Sequence, residues 1–347
     1  MPESFAHTMW TRVQGWFVAH AEQVTLAFIA DETGEPVDPN RGYLRIRFAE
    51  GVASDCPNWG EKRFPVLHGC VSLSVLGAAP SRFATFGRLP EPDQPISMLL
   101  PFAGGTVEVE AALYEAAADS PLDAAVDLVS GLASLTRPPL SVAAGLSDQV
   151  SEGFDRVLSG NEPVLGLHAT MVSPNGGGST SLRPGHLVLL GAPQGELAGT
   201  PVIRDGRLHL QGADGTAPPA DVDYLVIRVE CRTERDEWRF PELEALVKSA
   251  TEALVHNRES AYADRRREAI ARAWNSPDLI PVDRKRLALL ISEQLDGNRT
   301  LDAIAYDRLR APGDPVLPGV TLDRLLEPGS APAPDGAPDD ATRQLRT

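Results

Sequence analysis

The stretch Tyr224-Leu225-Val226-Ile227-Arg228-Val229-Glu230-Cys231-Arg232 decides the fold class. Leu225, Ile227, Val229 and Cys231 recur at every second position, so an extended chain shows them on one face. Soon afterwards the period changes. Leu243, Leu246, Val247, Ala250, Leu254 and Ile270 follow helical spacing, and one long helix over 241–274 is predicted. A β part ending near Arg232 and a helical part starting near residue 240 is the organising expectation.

Working back from residue 224, alternating or continuous apolar runs predict strands over 23–30, 42–49, 70–76, 96–102, 107–113, 164–172 and 185–191. In 42–49, Leu44, Ile46 and Phe48 alternate with Arg45 and Arg47. Strands that follow one another without helices suggest an antiparallel sandwich or barrel. A hairpin is expected over 96–114, turning at Gly104-Gly105, and a type I′ hairpin at Asp205-Gly206. Residues 173–181, rich in Gly and Ser, are expected to be a loop.

One segment interrupts the strands. Ser120, Pro121 and Asp123 have the form of a helix start, and apolar stripes continue to about residue 158, broken by Pro138-Pro139. A helical hairpin over 120–158 is expected. Beyond the long helix, Asn275-Ser276-Pro277 is a break. Asp283 then caps a helix carrying Leu287, Leu290, Ile291 and Leu295. A further short helix is expected over 301–310. The fold class is therefore α+β. A mixed or antiparallel β-sandwich-like domain over 20–232 carries the hairpin 120–158. A segment 1–19 precedes it, a helical region 240–310 follows, and 328–347 has the composition of a disordered tail.

The chain has 347 residues, with 32 Lys and Arg against 48 Asp and Glu, a formal net charge of -16. That balance argues against a nucleic-acid backbone as the main ligand. The excess is uneven. Residues 1–118 carry 8 basic and 14 acidic side chains, whereas 221–327 carry 17 and 21. The cysteines are Cys56, Cys70 and Cys231, with no CxxC spacing, which points to a reducing cytosol. No secretory signal pattern and no apolar run long enough to span a membrane is visible. Only three basic residues are lysine, a bias typical of GC-rich bacterial genomes.

For chemistry, Cys56 and His68 are the candidate catalytic pair, because an imidazole beside a thiol can take its proton. Cys70, at a strand start, reads as a buried structural thiol. Cys56, His68 and Cys70 fall short of a convincing zinc set, so no metal and no cofactor is expected. His168, His186 and His209 each stand alone on or beside a strand. Arg258, Arg265 and Arg272 recur at heptad spacing on the long helix and are the candidate binding residues for an anionic partner. The competing interpretation is a solvated helix face with interleaved acids.

The functional expectation is a non-catalytic cytosolic interaction or assembly component of a bacterial multi-protein system, with another protein as partner. The alternatives are a hydrolase with a cysteine–histidine site and a membrane-acting effector that rearranges residues 121–158. Acidic residues outnumber basic ones in that segment, which disfavours anionic lipid.

Overall fold

The computed structural model describes residues 6–53, 63–74, 81–88, 94–117, 162–172, 182–213, 215–235, 238, 240–256 and 258–296. The expected helical hairpin 120–158, the loop 173–181, the short helix 301–310 and the tail 328–347 lie outside them. The described elements run α1 (Ala6–Ala19), β1 (Thr25–Ala30), β2 (Tyr43–Val52), β3 (Arg63–Ser74), β4 (Ser81–Arg88), β5 (Gln94–Pro95), β6 (Leu100–Pro101) and β7 (Thr106–Ala117). They continue with β8 (Leu165–Val172), β9 (Gly185–Leu190), β10 (Thr200–Arg204), β11 (Arg207–Gly212), β12 (Gly215–Ala217) and β13 (Tyr224–Arg232). Helices α2 (Pro241–Val255), α3 (Glu259–Trp274) and α4 (Pro281–Asp296) follow. The class is α+β. One compact unit comprises Met1–Thr233 with Pro277–Val282, and the second comprises Glu234–Ser276 with Asp283–Thr347.

In the first unit the strands form three sheets, and every described pairing is antiparallel. A six-stranded sheet has the order β1-β9-β13-β2-β5, with β6 also on β2. A four-stranded sheet has the order β4-β3-β7-β8, and a small sheet the order β10-β11-β12. The two larger sheets share one core. Leu44, Ile46 and Phe48 of β2, Leu187 and Leu189 of β9, and Leu225, Ile227 and Val229 of β13 supply one side. Leu67 and Val71 of β3, Val107, Val109 and Leu113 of β7, and Leu167 and Met171 of β8 supply the other. Each such side chain, removed from water, contributes roughly 1.5–3 kcal/mol. The alternation read in β13 and β2 is therefore the alternation between core and outer face.

A bulge sits in β2. Val226 pairs with Glu50 but Ile227 pairs with Phe48, so Ala49 is the extra residue. Strict alternation would send Glu50 toward the core beside Phe48. The bulge instead returns it to the outer face. There its carboxylate accepts from Tyr224 Oη at 2.9 Å and from the Leu208 N–H at 3.0 Å. The small sheet covers that end of the outer face with Leu208 and Leu210, packed on Val188, Leu190, Tyr224 and Val226. The Asp205-Gly206 turn has positive φ at both residues, as a type I′ hairpin requires.

Three expectations need correcting. Residues 96–114 do not form a hairpin: β7 pairs with β3 and β8, while the run 96–102 contributes only β6 to β2, and β5 just before it pairs with β2 as well. Pro95 and Pro101 cannot donate to a ladder, which keeps this run at an edge. Ile96 and Ser97 both donate to the Ile46 carbonyl, and Ser97 Oγ accepts from the Ile46 N–H at 2.9 Å. Ile96 then fills the space beside Gly69, where a Cβ would lie within 2.9 Å of its side chain.

The single helix over 241–274 is also two helices. The chain leaves helical geometry at Arg258, with φ -93° and ψ 71°. Folding back lets α2 and α3 pack together, burying Leu243, Val247, Ala250 and Ala253 as well as Tyr262, Ala269 and Ala273. Tyr262 Oη donates to the Leu295 carbonyl at 2.6 Å, and Arg266 forms a bidentate pair with Asp296, so α4 joins the same unit. Finally, Asp283 lies in the first turn of α4, which starts at Pro281; there it is buried and accepts from Arg286 at 3.0 Å.

No element was expected in 1–19, which contains α1, nor over β4. The strand expected from residue 70 starts at Arg63.

Two glycines give opposite predictions. A Cβ on Gly42 would meet the Arg232 carbonyl oxygen and Val37 Cγ2, each at 2.5 Å. Gly42→Ala should cost about 1–3 kcal/mol by overpacking. Gly15 lies exposed inside α1 with nothing near its missing Cβ. Gly15→Ala should stabilise α1 by up to about 1 kcal/mol. Urea titrations should show the midpoint moving down for the first and up for the second, with unchanged slopes.

Candidate functional site

Two polar constellations lie on the outer faces of the sandwich. The first is a row across the four-stranded sheet. Cys70 of β3 pairs with Glu110 of β7, and Glu110 pairs with His168 of β8. Directly paired residues point to the same side, so the three side chains share the outer face. Glu110 is fully buried, and one carboxylate oxygen lies 3.1 Å from His168 Nδ1. His68 stands two positions from Cys70 on the same face and is 2 % exposed.

Helix α1 covers part of this face. It lies against β8 and β7, with Trp16 over Gly166, where a Cβ would come within 2.9 Å of the indole. The Phe17 ring sits 6.5 Å from the His168 ring. His168 is thus one partner in a buried acid–imidazole pair under a helix, rather than a solitary strand residue.

The order of the row matters for chemistry. Nucleophilic catalysis needs the base in contact with the thiol, and a third group behind the base. Here the carboxylate stands between thiol and imidazole. With strands about 4.8 Å apart, the Cys70 and His168 backbones are separated by about 10 Å. The row thus places Glu110, and not His168, next to Cys70. Cys56, the other half of the expected catalytic pair, lies outside the described residues. Burial pushes the His68 imidazole down to about 3, so it is neutral at pH 7. Cys231, half-buried on the core side of β13, is pushed up to about 12, first by burial and then by Asp31. Among the described residues no group of three His, Cys, Asp or Glu side chains could hold a metal ion.

The second constellation lies on the outer face of the six-stranded sheet, at the end the small sheet leaves open. Glu230 pairs with Arg45 across β13 and β2, and its carboxylate lies 3.7 Å from Arg45, 3.7 Å from Arg228 and 3.4 Å from Arg232. The next row places Arg228 directly opposite Arg47, with His186 of β9 on the other side of Arg228. His186 is 3.6 Å from Asp31. Its pKa is lowered by burial, with Arg228 adding to the shift and Asp31 opposing it.

Three guanidinium groups thus surround one carboxylate, and Arg47 stands in the next row. Arg45 is buried, with 7 % of its side chain exposed, while Arg228 and Arg232 are 46 % and 39 % exposed. Tyr43 closes the end of this face. Its hydroxyl accepts from the Ile280 N–H at 3.2 Å, and its ring packs with Leu99 and Ile280. Sequence alone showed Arg45 and Arg47 as one stripe. It did not show the partner stripe of β13, because only strand pairing brings the two together.

The three expected binding arginines lie in the second unit. Arg272 of α3 forms an ion pair with Glu242 of α2 and so ties the two helices together. Arg265 pairs with Glu268 at 2.8 Å, one turn along α3. Arg258 sits at the N-terminal boundary of α3, where its N–H donates to the Ala253 carbonyl. Heptad spacing placed them near one face, but each has a different local role. His209 is held locally, 3.2 Å from the Arg207 carbonyl oxygen.

His68 generates a pH prediction. Its folded-state pKa lies below 6.5, so the unfolded chain takes up the proton first. Stability should therefore be lost as pH falls from about 6.5 toward 3, with a slope approaching about 1.4 kcal/mol per pH unit from this group. Denaturant unfolding of the wild type and of His68→Gln from neutral to acid pH should show the two curves converging as pH falls. Parallel curves would show that His68 does not titrate this way.

No family model matches the chain, and no curated protein or solved structure matches it.

Proposed function

We propose that this protein is a non-catalytic interaction component of a bacterial cytosolic multi-protein system, and that it docks its partner on the outer face of the six-stranded sheet. The observation that carries this is the Arg228–Arg47 pair. Like charges directly opposite on neighbouring strands are destabilising, and sheets normally avoid them. Here the arrangement occurs at the centre of an otherwise well-packed sheet, beside the Glu230 carboxylate that Arg228 shares with Arg45 and Arg232. A face on which arginines gather in this way suits an anionic partner. Residues 1–233 carry 15 basic and 27 acidic side chains, so gathering four arginines on three strand rows runs against the composition of the unit.

The test is site-specific photocross-linking in lysate of the native organism. A benzophenone residue replaces Arg41, exposed at the mouth of this face, or Gln211, exposed on the small sheet. A discrete adduct from position 41 and none from position 211 is expected. Identical adducts from both positions, or a monomer that cross-links to nothing at any concentration, would remove the proposal.

A further inference from the structure

We infer that the segment docking on this face is an acidic stretch of polypeptide, bound through its carboxylates to the exposed Arg228 and Arg232. The inference rests on the interaction proposal above and names the chemistry of the partner. Guanidinium groups recognise carboxylates by paired, charge-assisted hydrogen bonds. Glu230 already shows the arrangement within the chain, since one carboxylate draws three arginines of this face to between 3.4 and 3.7 Å. The two most exposed of them, Arg228 and Arg232, stand four residues apart on one face of β13. That separation is about 13 Å along a strand. An extended segment with acidic residues four positions apart spans it.

The face also accepts backbone. The stretch Pro277–Val282, which belongs to this unit, lies against Tyr43 and donates from the Ile280 N–H to its hydroxyl. That stretch itself carries Asp278, which is buried. Backbone lying at this end of the face is therefore an arrangement the fold already uses once.

Other polyanions fit less well. A nucleic acid brings a charge every few ångströms toward a chain of net charge -16, and its long-range repulsion grows with its length. Base stacking needs exposed aromatics, and the aromatic side chain of this face, Tyr43, is fully buried. A short acidic segment meets the same arginines with little long-range cost, because repulsion beyond about 10 Å is screened at ordinary salt.

The experiment is fluorescence anisotropy of a fluorescein-labelled octaglutamate peptide with the full chain. Octalysine and octathymidylate are the comparison probes. Saturable octaglutamate binding that falls steeply with added salt is expected, with at least about tenfold weakening in Arg228→Glu and in Arg232→Gln. Arg228→Lys, which keeps the charge and loses the fork, should weaken binding less than Arg228→Glu. Arg204→Glu, an exposed charge reversal on the small sheet, should leave it unchanged. Circular dichroism checks that each variant is folded, and Arg232→Gln carries the test should Arg228→Glu misfold. Octaglutamate that does not bind, or binds equally to the wild type and to both arginine variants, overturns the inference. So does octathymidylate binding more tightly through the same arginines. An adduct at position 41 without octaglutamate binding would leave the interaction proposal standing and remove only its acidic partner.

Discussion

The register of β13 is the constraint on which the rest of the first unit depends. This strand pairs with β9 on one edge and β2 on the other, so its alternation is imposed on both neighbours. Leu225, Ile227 and Val229 face the shared core, and Arg228, Glu230 and Arg232 face out. A slip of one residue would bury three charged side chains and expose the aliphatic set. Unpaired buried charge is among the most expensive features a fold can carry. The same choice of register therefore secures the core and assembles the arginine face. A change in one cannot be made without the other.

The Ala49 bulge divides that outer face in two. Before it, β2 presents Arg45 and Arg47 beside the charged row of β13. After it, β2 presents Glu50, which accepts from Tyr224 and from the Leu208 backbone. Burial and the Glu50 carboxylate together push the Tyr224 phenol well above its ordinary value, so it remains a neutral donor. One end of the sheet is thereby fastened to the small sheet by apolar packing and the hydrogen bond from the Leu208 N–H to Glu50. The other end carries the charged rows, with Arg228 and Arg232 exposed and Arg45 and Glu230 largely buried. The outer face of the four-stranded sheet behaves differently. Its acid–imidazole pair is buried in part by α1, and the bulky ring of Trp16 occupies the space Gly166 leaves.

Much of the architecture was legible because alternation is a local signal. The core face of β13, the inward set Leu44, Ile46 and Phe48, and the Asp205-Gly206 turn all follow from residues near one another in sequence. What failed was pairing and continuity. A turn signal at Gly104-Gly105 suggested a local hairpin, yet the two prolines of the preceding run make it a poor ladder partner for β7. Helical spacing on both sides of residues 256–258 suggested one helix, although apolar stripes on two short helices bury more when folded against each other. The candidate sites were harder still. Cys70, Glu110 and His168 become neighbours only through β3-β7-β8 pairing, and the two arginine stripes only through β2-β13 pairing. Neither relation leaves a spacing that can be read along the chain.

The two constellations also show why residue type alone is a weak guide to chemistry. Cysteine, glutamate and histidine are the groups of a nucleophilic relay, yet in the row Cys70-Glu110-His168 their order across the strands separates thiol from base. Arginine and glutamate are the usual groups of a surface ion pair, worth little when exposed. Around Glu230 their number and not their type is unusual. One carboxylate lies within 3.7 Å of three guanidinium groups, and Arg228 faces Arg47 in the next row. The familiar catalytic set is therefore present by residue type but not in the order that a thiol–imidazole relay uses. The ordinary-looking charges on the opposite sheet are the part of the fold on which the proposed partner would dock.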